Sequence, residues 1–265
     1  MGTFAGATNN WLNNTPQGIQ YQVDNGLTYI RDGLVLYLDA ANSLSYPGTG
    51  NTWTDLSNNN NNGTLVGPSY TTDNQGALVF DGVNDYVNFG NILDFNGSTP
   101  FSLSCWFKTT NNATNNNPWH LIGKNTLSSP ILGYQMGFNI ATASSADRGK
   151  FGFVTVATGT VVMRRQTVAT YNDNNWYQGT VTYDGSKNIS GIIIYINGEQ
   201  PTLTNFDSTS FTGSLSNNSN LQVGARDGTN QPFPGSIAQV QIYNRALSQA
   251  EVQQNFNVFK GRYGL

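Results

Sequence analysis

Phe101-Ser-Leu-Ser-Cys-Trp-Phe-Lys-Thr-Thr110 is the stretch that decides the fold of this 265-residue chain. Apolar residues occupy every second position of it, namely Phe101, Leu103, Cys105 and Phe107. Mostly Ser, Trp and Lys stand between them. A period of two is that of a β-strand. The stretch therefore predicts a strand with one buried face.

Further short apolar or alternating runs lie on both sides of this strand, and clusters of Gly, Asn and Asp separate them. They are residues 34–40, 77–82, 86–90, 120–124, 134–140, 149–156, 161–168, 176–185, 191–198, 214–225 and 235–244. Many short strands between turn clusters indicate a β-sandwich. One helix is indicated near the end, where Ser248 and Glu251 have capping-box spacing and apolar residues follow at helical intervals.

The first 30 residues differ from the rest, because they are polar, rich in Asn and Gln, and without periodicity. We predict an extended N-terminal arm over residues 1–30 and one domain over residues 31–265. The opening MGTFAGATNN has neither a basic residue nor an apolar run, so it does not resemble a secretion signal. We expect the sequence to be a complete protein.

Composition excludes several classes of function. The single cysteine excludes an internal disulfide and a multi-cysteine zinc site, and the single histidine removes most histidine-based chemistry. With 12 basic and 15 acidic residues, the net charge is −3, which does not favour binding to nucleic acid. No run approaches the 18 apolar residues of a membrane span, so no membrane insertion is expected.

Several motifs resemble, in the right order, the laminin G-like domains of the concanavalin A-like lectin/glucanase superfamily, of the kind found in phage virion proteins. They are the segments 53–65, 77–87, 101–107, 176–185, 194–198 and 233–251. The similarity covers residues 33–259 and implies a two-sheet jelly roll, in agreement with the strand pattern. Such domains serve as carbohydrate-binding modules, adhesion domains, viral surface parts and, in a few relatives, glucanases. The fold alone does not choose among these functions.

The residues argue against an enzyme. Glycoside hydrolysis needs two carboxylates that face one cleft, and the glucanase relatives carry a Glu-x-Asp-x-Glu strand. This chain has only two glutamates, Glu199 and Glu251, and no such strand. Cys105 stands on the apolar face of its strand and is interpreted as a core thiol. We therefore predict a non-enzymatic protein with no catalytic residue and no required cofactor.

A structural calcium ion is one hypothesis. Calcium prefers oxygen ligands, and the segment Asp81-Gly-Val-Asn-Asp85 offers Asp81, Asn84 and Asp85. Some relatives bind calcium near this loop, and Asp173-Asn-Asn175 is a second oxygen-rich segment. The alternative is that these residues form Asn-rich and Asp-rich turns without a metal.

Glycan binding requires exposed aromatic faces with polar groups between them. The candidate residues are Trp119, His120, Tyr134, Arg164, Arg226 and Asp227. The alternative for Tyr134 is packing beneath a loop, that for the arginines is a solvated surface, and that for His120 is a packing role. Separately, Arg245 is expected to form a structural link to a carboxylate on the early strand that carries Asp39.

Two functions remain open from the sequence. The first is a structural protein on the surface of a tailed-phage virion, as a capsid or tail decoration. In it, residues 1–30 dock onto other virion proteins in a multi-copy or homo-oligomeric assembly, and the lectin-like domain binds host or environmental glycans. The second is a carbohydrate-binding or adhesion module of a bacterial surface or secreted protein. We favour the first.

Overall fold

The computed structural model describes residues 28–110, 118–127, 131–140, 145–158 and 161–265. The strands of this part are β1 (Leu34–Asp39), β2 (Thr52–Trp53), β3 (Gly63–Val66), β4 (Ser69–Thr71), β5 (Ala77–Asp81), β6 (Tyr86–Asn88), β7 (Phe101–Lys108), β8 (Trp119–Asn125), β9 (Gly133–Phe138), β10 (Lys150–Ala157), β11 (Val161–Thr170), β12 (Tyr177–Tyr183), β13 (Ile192–Ile196), β14 (Leu203–Asp207), β15 (Gln222–Val223) and β16 (Pro234–Tyr243). Helix α1 is Gln249–Phe259, and short 3-10 turns span Asp73–Gln75, Ser145–Asp147, Ile189–Gly191 and Lys260–Tyr263.

These strands form two antiparallel sheets, as expected for a concanavalin A-like jelly roll. The seven-stranded sheet has the order β13-β12-β7-β16-β5-β4. Its seventh strand, β1, pairs with the C-terminal half of β16, from Gln239 to Tyr243. The nine-stranded sheet has the order β14-β11-β10-β9-β8-β15-β6-β3-β2. The predicted sandwich fold is therefore confirmed.

The core lies between the two sheets and is rich in aromatic rings. Phe101 of the central strand is fully buried, and its ring centroid lies 4.5 Å from that of Phe95 and 5.1 Å from that of Tyr134. Rings of this size supply most of the apolar area that a sandwich removes from water. The alternation in the deciding stretch thus identifies the inward-facing side chains correctly.

The outward-facing side chains of β7 are buried as well, which the alternation does not predict. Trp106 is 1% exposed because α1 and the C-terminal turn cover the outer face of the seven-stranded sheet. Its ring stacks on Phe256 at 5.7 Å and on Tyr263 at 3.9 Å between centroids. Helix α1 begins as predicted, with the Ser248 hydroxyl accepting from the Glu251 amide and the Glu251 carboxylate accepting from the Ser248 amide.

Residues 1–27 of the predicted arm lie outside the described residues, whereas its last three residues pack on the domain. The Tyr29 ring lies 4.8 Å from Tyr37 and 6.0 Å from Phe259. The backbone amide of Ile30 donates to Asn255 Oδ1 at 2.8 Å. Residues 28–30, which the sequence assigned to the arm, therefore pack on the domain.

Two further sequence predictions need correction. The strand predicted over residues 214–225 is reduced to Gln222–Val223, because most of that segment runs across the strand ends and is held by side-chain hydrogen bonds such as Asn217 Nδ2 to Leu215 O. Arg245 does bind carboxylates, but these are Asp32 at 2.7 Å and Glu251 at 2.6 Å instead of Asp39.

None of the helices in the part that the structure describes is long and apolar enough to cross a bilayer.

Candidate functional site

A groove lies on the outer face of the nine-stranded sheet. Val154 of β10 forms its floor and lies in register with Gln135 of β9 and Arg164 of β11. The neighbouring Phe153 points to the other side of the sheet and belongs to the core. The groove has a volume of about 550 Å³. This size is within the range of about 300–1,000 Å³ that is typical of sites for small ligands.

The lining of the groove combines an apolar floor with polar walls. The apolar side chains are Pro118, Ile131, Ile140, Val154 and Val156. The polar ones are Asn125, Gln135, Asn139, Arg164, Arg226 and Gln231. Amide and guanidinium groups offer both donors and acceptors to a hydroxyl-rich ligand.

A chain of hydrogen bonds fixes one wall before any ligand binds. Asn125 Nδ2 donates to Gln135 Oε1 at 3.2 Å, and Gln135 Nε2 donates to Gln231 Oε1 at 2.9 Å. The backbone carbonyl of Gln231 accepts from the amide of His120 at 2.8 Å. The loop that carries Gln231 is therefore hydrogen-bonded to both β8 and β9. Because these bonds hold the polar groups of this wall in place, less entropy is lost when a ligand binds.

A tight turn positions Arg226 at the groove. The amide of Arg226 donates to the carbonyl of Asn230 at 2.7 Å, and the amide of Asn230 returns a bond of 3.0 Å. The guanidinium donates through Nη2 to the carbonyl of Thr126. Only 8% of Arg226 is exposed. Burial lowers the pKa of its guanidinium, whereas the negative charge of the neighbouring Asp227 raises it by a smaller amount. On the β11 side, Arg164 Nε forms an ion pair of 3.1 Å with Asp207.

The structure brings together two of the six predicted ligand-binding residues, Arg164 and Arg226. The prediction of exposed aromatic faces is wrong for Trp119 and Tyr134, which are only 4% and 1% exposed. Both rings point into the core, where Trp119 packs on Phe138 at 5.9 Å and the Tyr134 hydroxyl donates to the carbonyl of Leu93. No aromatic ring is among the described residues that line the groove.

The other two predicted residues lie next to the groove without lining it. His120 is fully buried, and burial lowers its pKa to about 3, with a further contribution from the charge of Arg226. This agrees with the packing role considered from the sequence. Asp227 is exposed at the tip of the turn, where its φ is 45°.

Sequence reasoning missed the floor of the groove and most of its amide groups. A signal for the floor exists in β10, where Phe151 and Phe153 occupy one face while Val154 and Val156 occupy the other. An outer face that is apolar although half-exposed indicates a binding surface. Asn125, Gln135 and Gln231 carry no comparable signal, because they come from three separate segments that only the sheet brings together.

The carboxylates of the candidate calcium loop already accept hydrogen bonds from the loop itself. Asp81 Oδ1 accepts from the amides of Val83 at 2.7 Å and Asn84 at 3.3 Å, and Asp85 Oδ2 accepts from the amide of Asp81 at 2.8 Å. Burial raises the pKa of Asp85. Among the described residues, no group of three or more His, Cys, Asp or Glu side chains is placed to hold a metal.

Thermal melting can decide between a calcium ion at Asp81, Asn84 and Asp85 and a turn without metal, which are the two hypotheses from the sequence. Because backbone amides already bond the carboxylates of this loop, we expect the same Tm in calcium and in EDTA. A Tm that rises in calcium, and no longer does so in Asp85→Asn, would place an ion at this loop instead.

The groove offers no paired carboxylates for hydrolysis, because none of its described lining residues is Asp or Glu. Cys105 is buried in the core, and burial raises the pKa of its thiol. The described part of the groove can therefore hold a polar ligand through its amide and guanidinium groups.

Comparisons with known proteins agree with this architecture. A family model, Laminin_G_3, described as the concanavalin A-like lectin/glucanases superfamily, matches residues 81–253. No curated protein matches the sequence.

Three solved structures illustrate the likeness of the fold. The binding domain of Paraclostridial Mosquitocidal Protein 1 is 19% identical with a TM-score of 0.65, and the match covers 86% of this chain and 53% of that one. A mutant of Trypanosoma rangeli sialidase with trans-sialidase activity is 14% identical, with a TM-score of 0.61 and coverage of 91% and 35%. Domain 4 of AbnA, a GH43 extracellular arabinanase from Geobacillus stearothermophilus, in complex with arabinotriose, is 16% identical, with a TM-score of 0.60 and coverage of 84% and 97%. The chain thus spans about half of the first relative and nearly all of the third.

Proposed function

Because this chain belongs to the Laminin_G_3 family of the concanavalin A-like lectin/glucanase superfamily, we propose that it is a non-enzymatic module that binds glycans. The observation that carries this proposal is the groove, in which six hydrogen-bonding side chains surround an apolar floor. Sugar rings present hydroxyl groups at their edges and C–H groups on their faces. The polar walls suit the hydroxyl groups, and the valine floor suits the C–H groups.

Two relatives support a binding role. One is the binding domain of Paraclostridial Mosquitocidal Protein 1, and the other is a domain of an arabinanase solved with arabinotriose. The third is a sialidase, in which this chain matches about a third of the length. The lack of any carboxylate among the described lining residues of the groove favours binding over hydrolysis.

A substitution that fills the groove tests the proposal. Val154→Glu places a longer, negatively charged side chain on the floor, and we expect at least a tenfold loss of affinity, about 1.4 kcal/mol, for the glycans that the native protein captures on an array. Val168→Glu is the matched control, because Val168 is 51% exposed on β11 and lies outside the groove. Unchanged binding by Val154→Glu, or no glycan captured by the native protein, contradicts the proposal.

For the biological setting, we propose a multi-copy surface protein of a tailed-phage virion, docked through its N-terminal arm. The arm joins the domain at Tyr29, which packs with Tyr37 and Phe259 on the outer side of the seven-stranded sheet. The groove lies on the outer face of the other sheet. A domain held by its arm would therefore present the groove away from its support. The same orientation would serve the alternative, an adhesion module of a bacterial surface or secreted protein.

Removal of residues 1–27 tests the docking role of the arm. We expect the truncated domain to keep its Tm, because Tyr29 and Ile30 remain, and to be lost from purified particles that contain the full-length protein. Particle proteomics on both forms gives the measurement. Equal incorporation of the two forms contradicts docking through the arm, and absence of the full-length protein from particles favours the bacterial alternative.

A further inference from the structure

We propose that the groove selects acidic glycans, those that bear carboxylate or sulfate groups, and that Arg226 and Arg164 read the negative charge. This inference rests on the proposed function and narrows the class of ligand. It follows from the charges that line the groove, their burial and their placement.

The two arginines stand on opposite walls. Arg164 belongs to β11, and Arg226 follows β15 after three residues. Strands β10, β9 and β8 lie between them and carry the floor. Neighbouring strands of a sheet lie about 4.8 Å apart, so the four steps from β11 to β15 place the backbones at Arg164 and Arg226 roughly 19 Å apart. Both side chains line the groove, so a ligand lying along β9 and β10 has a guanidinium group on each side.

The charge of Arg226 is only partly compensated within the protein. Its Nη2 group donates to a neutral carbonyl, and its buried Nε has no hydrogen-bond partner in the described part of the chain. The nearest acid in sequence, Asp227, is exposed to solvent. A buried cation without a buried counter-charge is unfavourable. An anionic ligand in the groove would supply the missing charge.

Arg164 is held in a different way. Asp207 on the edge strand β14 contacts its Nε and fixes the guanidinium at the wall. Planar guanidinium groups bind carboxylate and sulfate-like oxygens with paired donors, which amide groups cannot match. Arg164 therefore adds a second cation to the site, weakened by its own ion pair.

The other residues that line the groove leave charge as the property by which the groove can distinguish one glycan from another. No described lining residue is acidic, so none of these side chains repels an anion. The lining residues that the structure describes include no aromatic ring that could stack against a neutral sugar ring. The amides of Asn125, Gln135 and Gln231 serve hydroxyl groups of any sugar, whereas only the arginines distinguish an acidic sugar from a neutral one.

The test compares each acidic saccharide with its neutral counterpart on the full-length protein. The probes are oligogalacturonate against its carboxyl-reduced form, oligosialic acid against its carboxyl-reduced form, and dextran sulfate against dextran. We expect at least a tenfold preference for one acidic member, and that preference should shrink as salt is raised. The pair that shows it tells whether carboxylate or sulfate is read.

Variants assign the preference to the groove. Arg226→Gln should remove it and Arg226→Lys should keep part of it, while Arg164→Gln should reduce it. Arg31→Gln is the control variant. It removes the same positive charge outside the groove, because Arg31 is exposed on the side of the seven-stranded sheet. Should Arg226→Gln fail to fold, Arg164→Gln and the salt dependence of the native protein decide.

The outcomes separate this inference from the proposed function. Equal affinity for the acidic and neutral members of every pair overturns the inference and leaves glycan binding intact. A preference that survives both Arg226→Gln and Arg164→Gln also overturns it. No binding to any acidic or neutral glycan contradicts the proposed function itself.

Discussion

Replacement of Arg262 by methionine is expected to lower the free energy of unfolding by about 3–5 kcal/mol. The guanidinium is almost completely buried and donates to Asp39 Oδ1 at 2.7 Å, to the carbonyl of Asn74 at 2.6 Å and to the carbonyl of Gly76. Its loss leaves the Asp39 carboxylate buried without its counter-charge. It also releases the C-terminal turn, whose Tyr263 covers Trp106. Urea denaturation measures the change.

A partly exposed ion pair provides the matched control for this variant. Arg245 binds Asp32 and Glu251, but its side chain is 27% exposed, so Arg245→Met should cost at most about 1 kcal/mol. If Arg262→Met costs no more than Arg245→Met, the buried pair does not hold the C-terminal turn to the sheet. Asp39→Asn in the Arg262→Met background should restore part of the loss, because it removes the unpaired charge.

The contrast between these two arginines shows how far the sequence predicts the fold. The alternation at Phe101–Phe107 and the capping box at Ser248 are local patterns, and local patterns predict elements well. The partner of Arg262 lies 223 residues away along the chain. Nothing local identifies such a pair, and the sequence instead suggested a link between Arg245 and the strand of Asp39. Register between distant strands decides these contacts.

The candidate site shows the same limit within a single strand. Every residue of β8 is buried, so this strand lacks the alternation that would tell its inner face from its outer face. Its register also shifts between His120 and Ile122. The sequence predicted an exposed aromatic face at Trp119, whereas the ring points to the core. The arginines at 164 and 226 could be identified as candidates, because charged residues within an apolar strand or a turn rarely point inward.

His120 makes the stability of the domain depend on pH in a range where few other groups titrate. Burial lowers its pKa in the folded protein to about 3, whereas the unfolded chain has a value near the ordinary 6.5. Below pH 6.5, the unfolded state therefore binds a proton that the folded state does not, and stability falls as pH falls. From pH 6.5 to pH 5 the expected loss is about 2 kcal/mol, from about 1.4 kcal/mol for each pH unit.

The single histidine of the chain makes this measurement specific. Urea denaturation of the native protein and of His120→Gln, at several values between pH 5 and 6.5, gives the difference in slope. The variant should lose the pH dependence that belongs to the imidazole, whatever its stability at pH 7, because its side chain does not titrate. Parallel slopes would show that the imidazole is protonated as easily in the folded protein as in the unfolded chain. In that case water reaches the ring, and the wall of the groove beside Arg226 is more open than its hydrogen bonds indicate.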